Sequence, residues 1–368
     1  PGAIYLNAKG LETPKLFEIP EDDKPIGVDE FPLFYKFSGQ GQFSRFPKAV
    51  LEDEPYPVRG LMILGGSPVL SFPDSKSWRE AYKKLDCLIV LDRYFTEDAR
   101  YADVVFPACS LFEVPKAVPG PEGPHIVESL IEPVGESKND VLIMGAIAKK
   151  LGFGDKLPQT EEELRSWLLS GTAPYAGDFG TSADQKKEKH YKKYETGELR
   201  ADGKPGFPTP SGKLEICSTI LEENGFVPYP EYKDVRSIPE LAGKEYPFTM
   251  TSGARSNNRM GVFGANLDKI AEIEPYPFVD INAEDAKEIG IKDGDMVKVI
   301  TPFADGTFKA KIRGIAKHAI HIPHGGGSAY MAEPWKNGNV NDLCSLDYAD
   351  PMTGFVLIKS VPCRVEKV

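Results

Sequence analysis

The chain contains no C-x-x-C pair. Its five cysteines, Cys87, Cys109, Cys217, Cys344 and Cys363, are scattered over 368 residues, a spacing that carries no iron–sulfur or zinc signature. An odd count also gives no disulfide framework. Cys87 and Cys363 sit in apolar runs and are expected to be buried thiols acting as small hydrophobes. Positive charge is short as well: 44 Lys and Arg face 55 Asp and Glu, a net charge of −11. Nucleic acid and anionic membranes need a basic footprint, so neither is an expected partner. No apolar run reaches the roughly 18 residues of a membrane span. The first residues, PGAIYLNAKG, lack a Met, a basic n-region and an apolar h-region. The expectation is a processed chain, or one half of a larger protein.

Apolar material is plentiful, 41% of residues with 20 Phe, 15 Tyr and 3 Trp, enough for real cores. From residue 59 the pattern alternates. GLMIL, DCLIVLD and DVVFPA are expected strands. PDSKSWREAYKKL, with Asp74 and Ser75 as possible caps, and NDVLIMGAIAKKLG, ended by Gly152, are expected helices, and TEDARYA opens as a helix at Thr96. Continuous apolar strands separated by helices predict a parallel sheet covered on both faces. Residues 156–245 are polar, rich in Gly and Pro, and read as an extended connecting segment. From 246 to 368, six short strands from YPFTMTSG to GFVLIKSVPCRVEKV, with one helix AEDAKEIG, predict a small closed barrel. The division is therefore 1–155, 156–245 and 246–368.

RGLMILGGSPVL, residues 59–70, poses the functional question. The glycine pair after an apolar strand is either a tight turn or a place where backbone must approach a ligand. The full G-x-G-x-x-G is absent. Asp92, ending IVLD, either caps the turn toward Thr96 or offers a carboxylate to paired N–H donors. In KNDVL, Asn139 or Asp140 either caps a helix or serves a ligand. HIPHGGG places His321 and His324 beside a glycine run. An i, i+3 pair is a weak metal signal, and a loop beside a cofactor or substrate is the preferred reading.

Three blocks in this order resemble one family: LMILGGSPVL through FPACSLFE, PTPSGKLEI, and VDINAEDAKEIGIKDGDMVKV through SVPCRVE. Together they resemble the C-terminal half of the dimethyl sulfoxide reductase family, whose members carry molybdenum or tungsten on two pyranopterin guanine dinucleotides. The resemblance implies an α/β plus β fold: a Rossmann-like pterin dinucleotide-binding part, then a six- or seven-stranded barrel of aspartate-decarboxylase type. It implies that Gly65, Gly66, Ser67 and Pro68 receive the nucleotide end of one pterin, with Ser67 adding a hydroxyl. Leu91, Asp92 and Thr96 would lie beside it, Asp92 reading the guanine N1 and N2 edge, and Asp140 would lie near the nucleotide. Ser252, Gly253, Arg255, Asn341 and Lys359 would hold pterin and pyrophosphate. Where relatives carry a lysine after Glu113 or a histidine after Arg255, this chain has Val114 and Asn257.

By the same resemblance the metal ligand and a 4Fe–4S cluster belong to an N-terminal half that precedes these residues. The expected cofactor is bis-molybdopterin guanine dinucleotide with Mo or W, with no metal ligand and no assignable catalytic residue in this chain. The expected activity is two-electron or oxygen-atom transfer in anaerobic respiration, acting on a small-molecule substrate. Expected partners are that N-terminal half, as a separate chain or cleaved piece, and an iron–sulfur electron-transfer subunit; this chain alone would be inactive. The rival is a cofactor-free structural subunit like the large iron–sulfur subunit of complex I.

Overall fold

In the computed structural model, which describes residues 24–118, 125–169, 193–253, 267–331 and 333–368, the first apolar runs are strands. β1 (Gly60–Leu64), β2 (Cys87–Asp92) and β3 (Val104–Pro107) form a three-stranded sheet in that order, parallel throughout. Parallel neighbours need a crossover. The one between β1 and β2 is the helix Ser75–Lys84. Asp74 caps it by accepting from Ser77 N, and Lys83 and Lys84 close its last turn, the favourable sign at a helix C-terminus. Its apolar face buries Trp78, Ala81 and Tyr82. Trp78 stacks on Phe46 with ring centroids 5.6 Å apart and is flanked by Phe43 and Phe72. Between β2 and β3 the expected helix at Thr96 is a single 3-10 turn, Asp98–Arg100.

The described residues fall into two compact units, one from 24–107 with 233–368, the other within 108–232. The second unit holds the hairpin β4 (Lys116–Val118) and β5 (His125–Val127) and the helices Asp140–Lys150 and Glu161–Leu169. Between 156 and 245 the buried residues, among those described, are Pro158, Leu164, Gly197 and Leu241. A stretch so short of buried apolar groups builds little core of its own.

The remaining strands close on themselves. β6 (Phe248–Ser252), β7 (Phe278–Asn282), β8 (Met296–Ile300), β9 (Asp305–Arg313), β10 (Ala319–Ile322) and β11 (Lys359–Lys367) form a barrel in the order β10-β6-β11-β8-β9-β7. All six strands stand where the alternation placed them, and six is the observed number. Period-two side chains point inward: Met250, Val279 and Ile281, Val297 and Val299, Phe308 and Ala310, Ile320 and Ile322, Val361 and Cys363. Closure leaves no open strand edge. Cys363 is buried in this core, but Cys87 is exposed, a correction to the expectation of two buried thiols. It is the first residue of β2, ahead of the buried positions Leu88, Val90 and Leu91.

Sheet and barrel belong to the same unit and are stitched together by polar contacts. Asn341 Nδ2 donates to the Leu70 carbonyl at 2.7 Å, Ser75 Oγ pairs with Asp342, and Arg45 donates to the Leu346 carbonyl at 2.8 Å.

Candidate functional site

The carboxyl end of the parallel sheet is the first part of the site. β1 stops at Leu64, and Gly65 turns with φ +60° while its N–H donates to the Leu91 carbonyl at 2.9 Å. That positive φ is cheap only for glycine. A Cβ on Gly65 would meet nothing within 4 Å, and one on Gly66, which has no positive φ, only Ile63 Cγ2 at 4.0 Å. The turn is therefore open. Pro68 begins a short helix, Pro68–Ser71.

The Ser67 hydroxyl, expected to face a ligand, donates instead to Asp98 Oδ2. Asp98 Oδ1 accepts from Val69 N at 3.1 Å and from the Tyr82 hydroxyl at 2.7 Å. Burial pushes the Asp98 carboxyl up, against the lowering effect of these three donors. The neighbouring Glu97 is equally buried; it accepts from Ala329 N at 3.0 Å and pairs with Arg100 at 2.7 Å. Sequence reading missed both acids, because TEDA looks like an ordinary solvated helix start.

Asp92 stands at the end of β2, half-buried, beside Pro107 of β3. Its Oδ1 accepts from Tyr94 N at 3.0 Å, so the turn-capping role is real and occupies one oxygen. Thr96 Oγ1 likewise accepts from Ala99 N at 3.2 Å. Leu91 is fully buried and contributes the carbonyl already described.

The second part lies on the barrel. Ser252 is buried and its hydroxyl donates to the Ile358 carbonyl at 2.7 Å. Gly253 has φ +103°, and a Cβ there would sit 3.5 Å from His324 Nε2 and 3.7 Å from Lys359 Cε. The ends of β6, β10 and β11 thus bring Ser252, Gly253, His324 and Lys359 together. Asn341 is buried; besides donating to Leu70, it leaves its Oδ1 with no hydrogen-bond partner among the described residues. A buried amide oxygen without a donor costs free energy, and a donor on a bound group would remove that cost. Arg255, with Asn257 and Asn258, lies outside the described residues.

The two histidines of HIPHGGG go separate ways. His321 Nδ1 lies 3.1 Å from Asp280 Oδ2, and Asp280 also pairs with Arg313 at 2.9 Å. Among the described residues no group of three His, Cys, Asp or Glu is arranged to hold a metal. The glycine run is packed rather than open. A Cβ on Gly326 would lie 2.7 Å from Gly338 backbone, and one on Gly327 2.9 Å from Leu70 Cδ2.

Asp140 belongs to the other unit. It is the first residue of its helix, whose cap is Asn139, accepting from Val141 N at 2.9 Å. It lines a cleft of about 460 Å³ with Leu111, Val114, Pro115, Leu164 and Leu168. Glu113 is held by Ser110 N at 2.5 Å, Val134 N at 2.6 Å and Ser137 Oγ at 3.1 Å. These donors hold its carboxyl down at about 2.

An open glycine turn at strand ends, a half-used carboxylate beside it, and a buried amide oxygen without a donor fit an extended polar ligand with a nucleotide end. Two family models match the chain: molybdopterin oxidoreductase over residues 44–150 and molydopterin dinucleotide binding domain over residues 249–362. The F420-dependent formate dehydrogenase subunit alpha of Methanocaldococcus jannaschii is 31% identical over 72% of this chain and 38% of its own length. Acetylene hydratase of Syntrophotalea acetylenica is 25% identical over 78% of this chain and 40% of its own length. The chain thus spans about two fifths of the curated relatives it matches. The solved acetylene hydratase from Pelobacter acetylenicus superposes with a TM-score of 0.75 at 21% identity, over 93% of this chain and 52% of that one, and it shares the fold. No helix among the described residues is long and apolar enough to cross a membrane. With both family models matched in order over the sheet and the barrel, the chain belongs to the molybdopterin oxidoreductases of the dimethyl sulfoxide reductase family.

Proposed function

We propose that this chain is the cofactor-holding C-terminal part of an oxidoreductase that uses molybdenum or tungsten on two pyranopterin guanine dinucleotides. Gly66 carries the reading: it has neither the positive φ nor the close neighbour that would make glycine necessary to the protein itself. Glycine there suits a ligand that approaches the backbone, and Ser67, Pro68, Leu91 and Thr96 shape the wall around it. Asp92 keeps Oδ1 on Tyr94, and the reading gives Oδ2 to the N–H donors of the guanine edge. Ser252, Gly253, Asn341 and Lys359 are assigned to pterin and pyrophosphate. Arg255 and Asp140 are assigned to phosphate and nucleotide on the family resemblance alone.

When bound, the group supplies two-electron or oxygen-atom transfer at its metal. The residues of this chain bind it, orient it and set the field around it. The reading assigns the metal ligand and a 4Fe–4S cluster to the part of the relatives that this chain does not span. That part is the expected partner, with an iron–sulfur electron-transfer subunit beyond it. On this reading the present chain is inactive by itself, and the whole enzyme serves anaerobic respiration on a small-molecule substrate.

The test is made on the full-length protein, purified anaerobically. Oxidised pterin is measured by fluorescence, guanosine monophosphate after acid release, and Mo and W by mass spectrometry. All three should be present, and Gly66→Val should lose pterin and guanosine monophosphate while its unfolding curve stays in place. Protein without pterin, or Gly66→Val with a full complement, turns the assignment to a cofactor-free structural subunit.

A further inference from the structure

The fully buried carboxylate of Asp98 is a perturbed acid that the reading above leaves unused. A carboxylate in an apolar interior is costly unless donors surround it. Here three neutral donors do so, and two of them, the Ser67 hydroxyl and Val69 N–H, come from the segment that follows Gly65 and Gly66. The third, the Tyr82 hydroxyl at 2.7 Å, comes from the crossover helix. Asp98 is itself held in place from both sides. Thr96 Oγ1 accepts from Ala99 N at 3.2 Å, and Glu97 Oε2 accepts from Ala329 N, on the loop after β10, at 3.0 Å. Among the described residues the Ser67 side chain has no other hydrogen-bond partner. Gly65 and Gly66 are the open part of the turn, between β1 and the buried core residues Val69 and Leu70.

We propose that Asp98 is the positioning residue of the glycine turn: its carboxylate holds Ser67 and Val69 against the crossover helix so that Gly65 and Gly66 stay open to the nucleotide end of the cofactor. The inference rests on the reading that this turn receives the nucleotide. It also accounts for the Ser67 hydroxyl, which serves the turn rather than the ligand.

The test uses the full-length protein and two readouts, pterin content and hydrogen–deuterium exchange of the peptide covering residues 61–72. Asp98→Ala removes all three acceptor contacts. Exchange at the amides of Gly66, Ser67, Val69 and Leu70 should rise on the order of tenfold or more, with exchange in the barrel strands unchanged and pterin retention reduced. Asp98→Asn keeps one oxygen for Val69 and Tyr82, and Ser67 can accept from its amide, so it should fall between Asp98→Ala and wild type. Should Asp98→Ala fail to fold, Tyr82→Phe carries the test, with a rise of about threefold confined to the same amides. Wild-type exchange in the turn, or a rise spread evenly over sheet and barrel, overturns the proposal. Gly66→Val separates the two readings. If it loses pterin while the Asp98 and Tyr82 variants keep theirs, the positioning role fails and the nucleotide site stands. If Gly66→Val keeps its pterin, the nucleotide site itself fails.

Discussion

Two glycine-rich turns follow apolar strands in this chain. After β1, a Cβ on Gly65 would meet nothing within 4 Å, and one on Gly66 only a methyl at 4.0 Å. After β10, a Cβ on Gly326 would lie 2.7 Å from Gly338 backbone, and one on Gly327 2.8 Å from Asn339 Cβ. One turn is glycine although the protein leaves it room; the other is glycine because the protein leaves none. By composition alone the turn after β10 is the better ligand loop, since it has three glycines and His324. Packing assigns it to joining barrel and sheet, through Leu70 and Asn339.

Substitution should separate the two turns most sharply in stability. Gly327→Ala meets the buried side chains of Asn339 and Leu70 at φ +95°, and chemical denaturation should register a loss of about 3 kcal/mol or more. Gly66→Ala should move the same curve by no more than about 1 kcal/mol. Equal losses would erase the distinction.

Next in size is the contact that bridges the two regions. Asn341→Ala leaves the Leu70 carbonyl without its donor, a loss of about 1–3 kcal/mol in unfolding, and pterin content should fall with it. A variant as stable as wild type would mean that the Leu70 contact is not what joins them.

Asp92→Asn acts on the ligand side alone. Tyr94 N–H still finds an oxygen, so stability should hold within about 0.5 kcal/mol. Cofactor affinity should weaken by about 1–3 kcal/mol as a donor replaces an acceptor. Full pterin content in that variant removes Asp92 from the site.

The smallest effect concerns pH. Glu113 staples a turn much as Asp98 does, but its hydrogen bonds lower its carboxyl to about 2 from the ordinary 4.5. A depressed folded value means that the stabilisation is present above the unfolded value and is lost as pH falls from about 4.5 toward 2. Wild type and Glu113→Gln should therefore differ most in amide exchange over residues 110–118 and 125–137 at about pH 5.5, less at about pH 3, and converge only near pH 2. Asp98, raised by burial, has the opposite sign: its contribution is complete at low pH and is lost as pH rises through its folded value. A Glu113 difference that persists at low pH would show that the staple does not depend on the charge.

Much of the architecture is legible in the sequence because it is local. Alternation in DMVKVI and TFKAKIR has only one face to bury, so the strands of the barrel follow from period two. Asp74 and Asn139 stand where caps belong, and each accepts a backbone N–H of the first turn. Cys87 departs from expectation because an apolar run does not say where the strand's buried part begins. The paired roles proposed for Gly253 and Lys359 draw on resemblance, and the fold does bring the two together across 106 residues of chain, as it brings Ser252 to Ile358.

Sequence by itself determined the strand and helix periods, a closed barrel of six or seven strands, the acidic balance and the family resemblance, since all of these are written in composition and in spacing of a few residues. Only the tertiary structure decided which glycines are open and which are filled, that Ser67 answers to Asp98, and that Asn341 reaches Leu70 from 271 residues away. Those outcomes depend on which distant backbone arrives at a given point. Periodicity carries no such information, because a glycine or a buried acid has the same local signature whether its neighbour is a ligand, another loop or water.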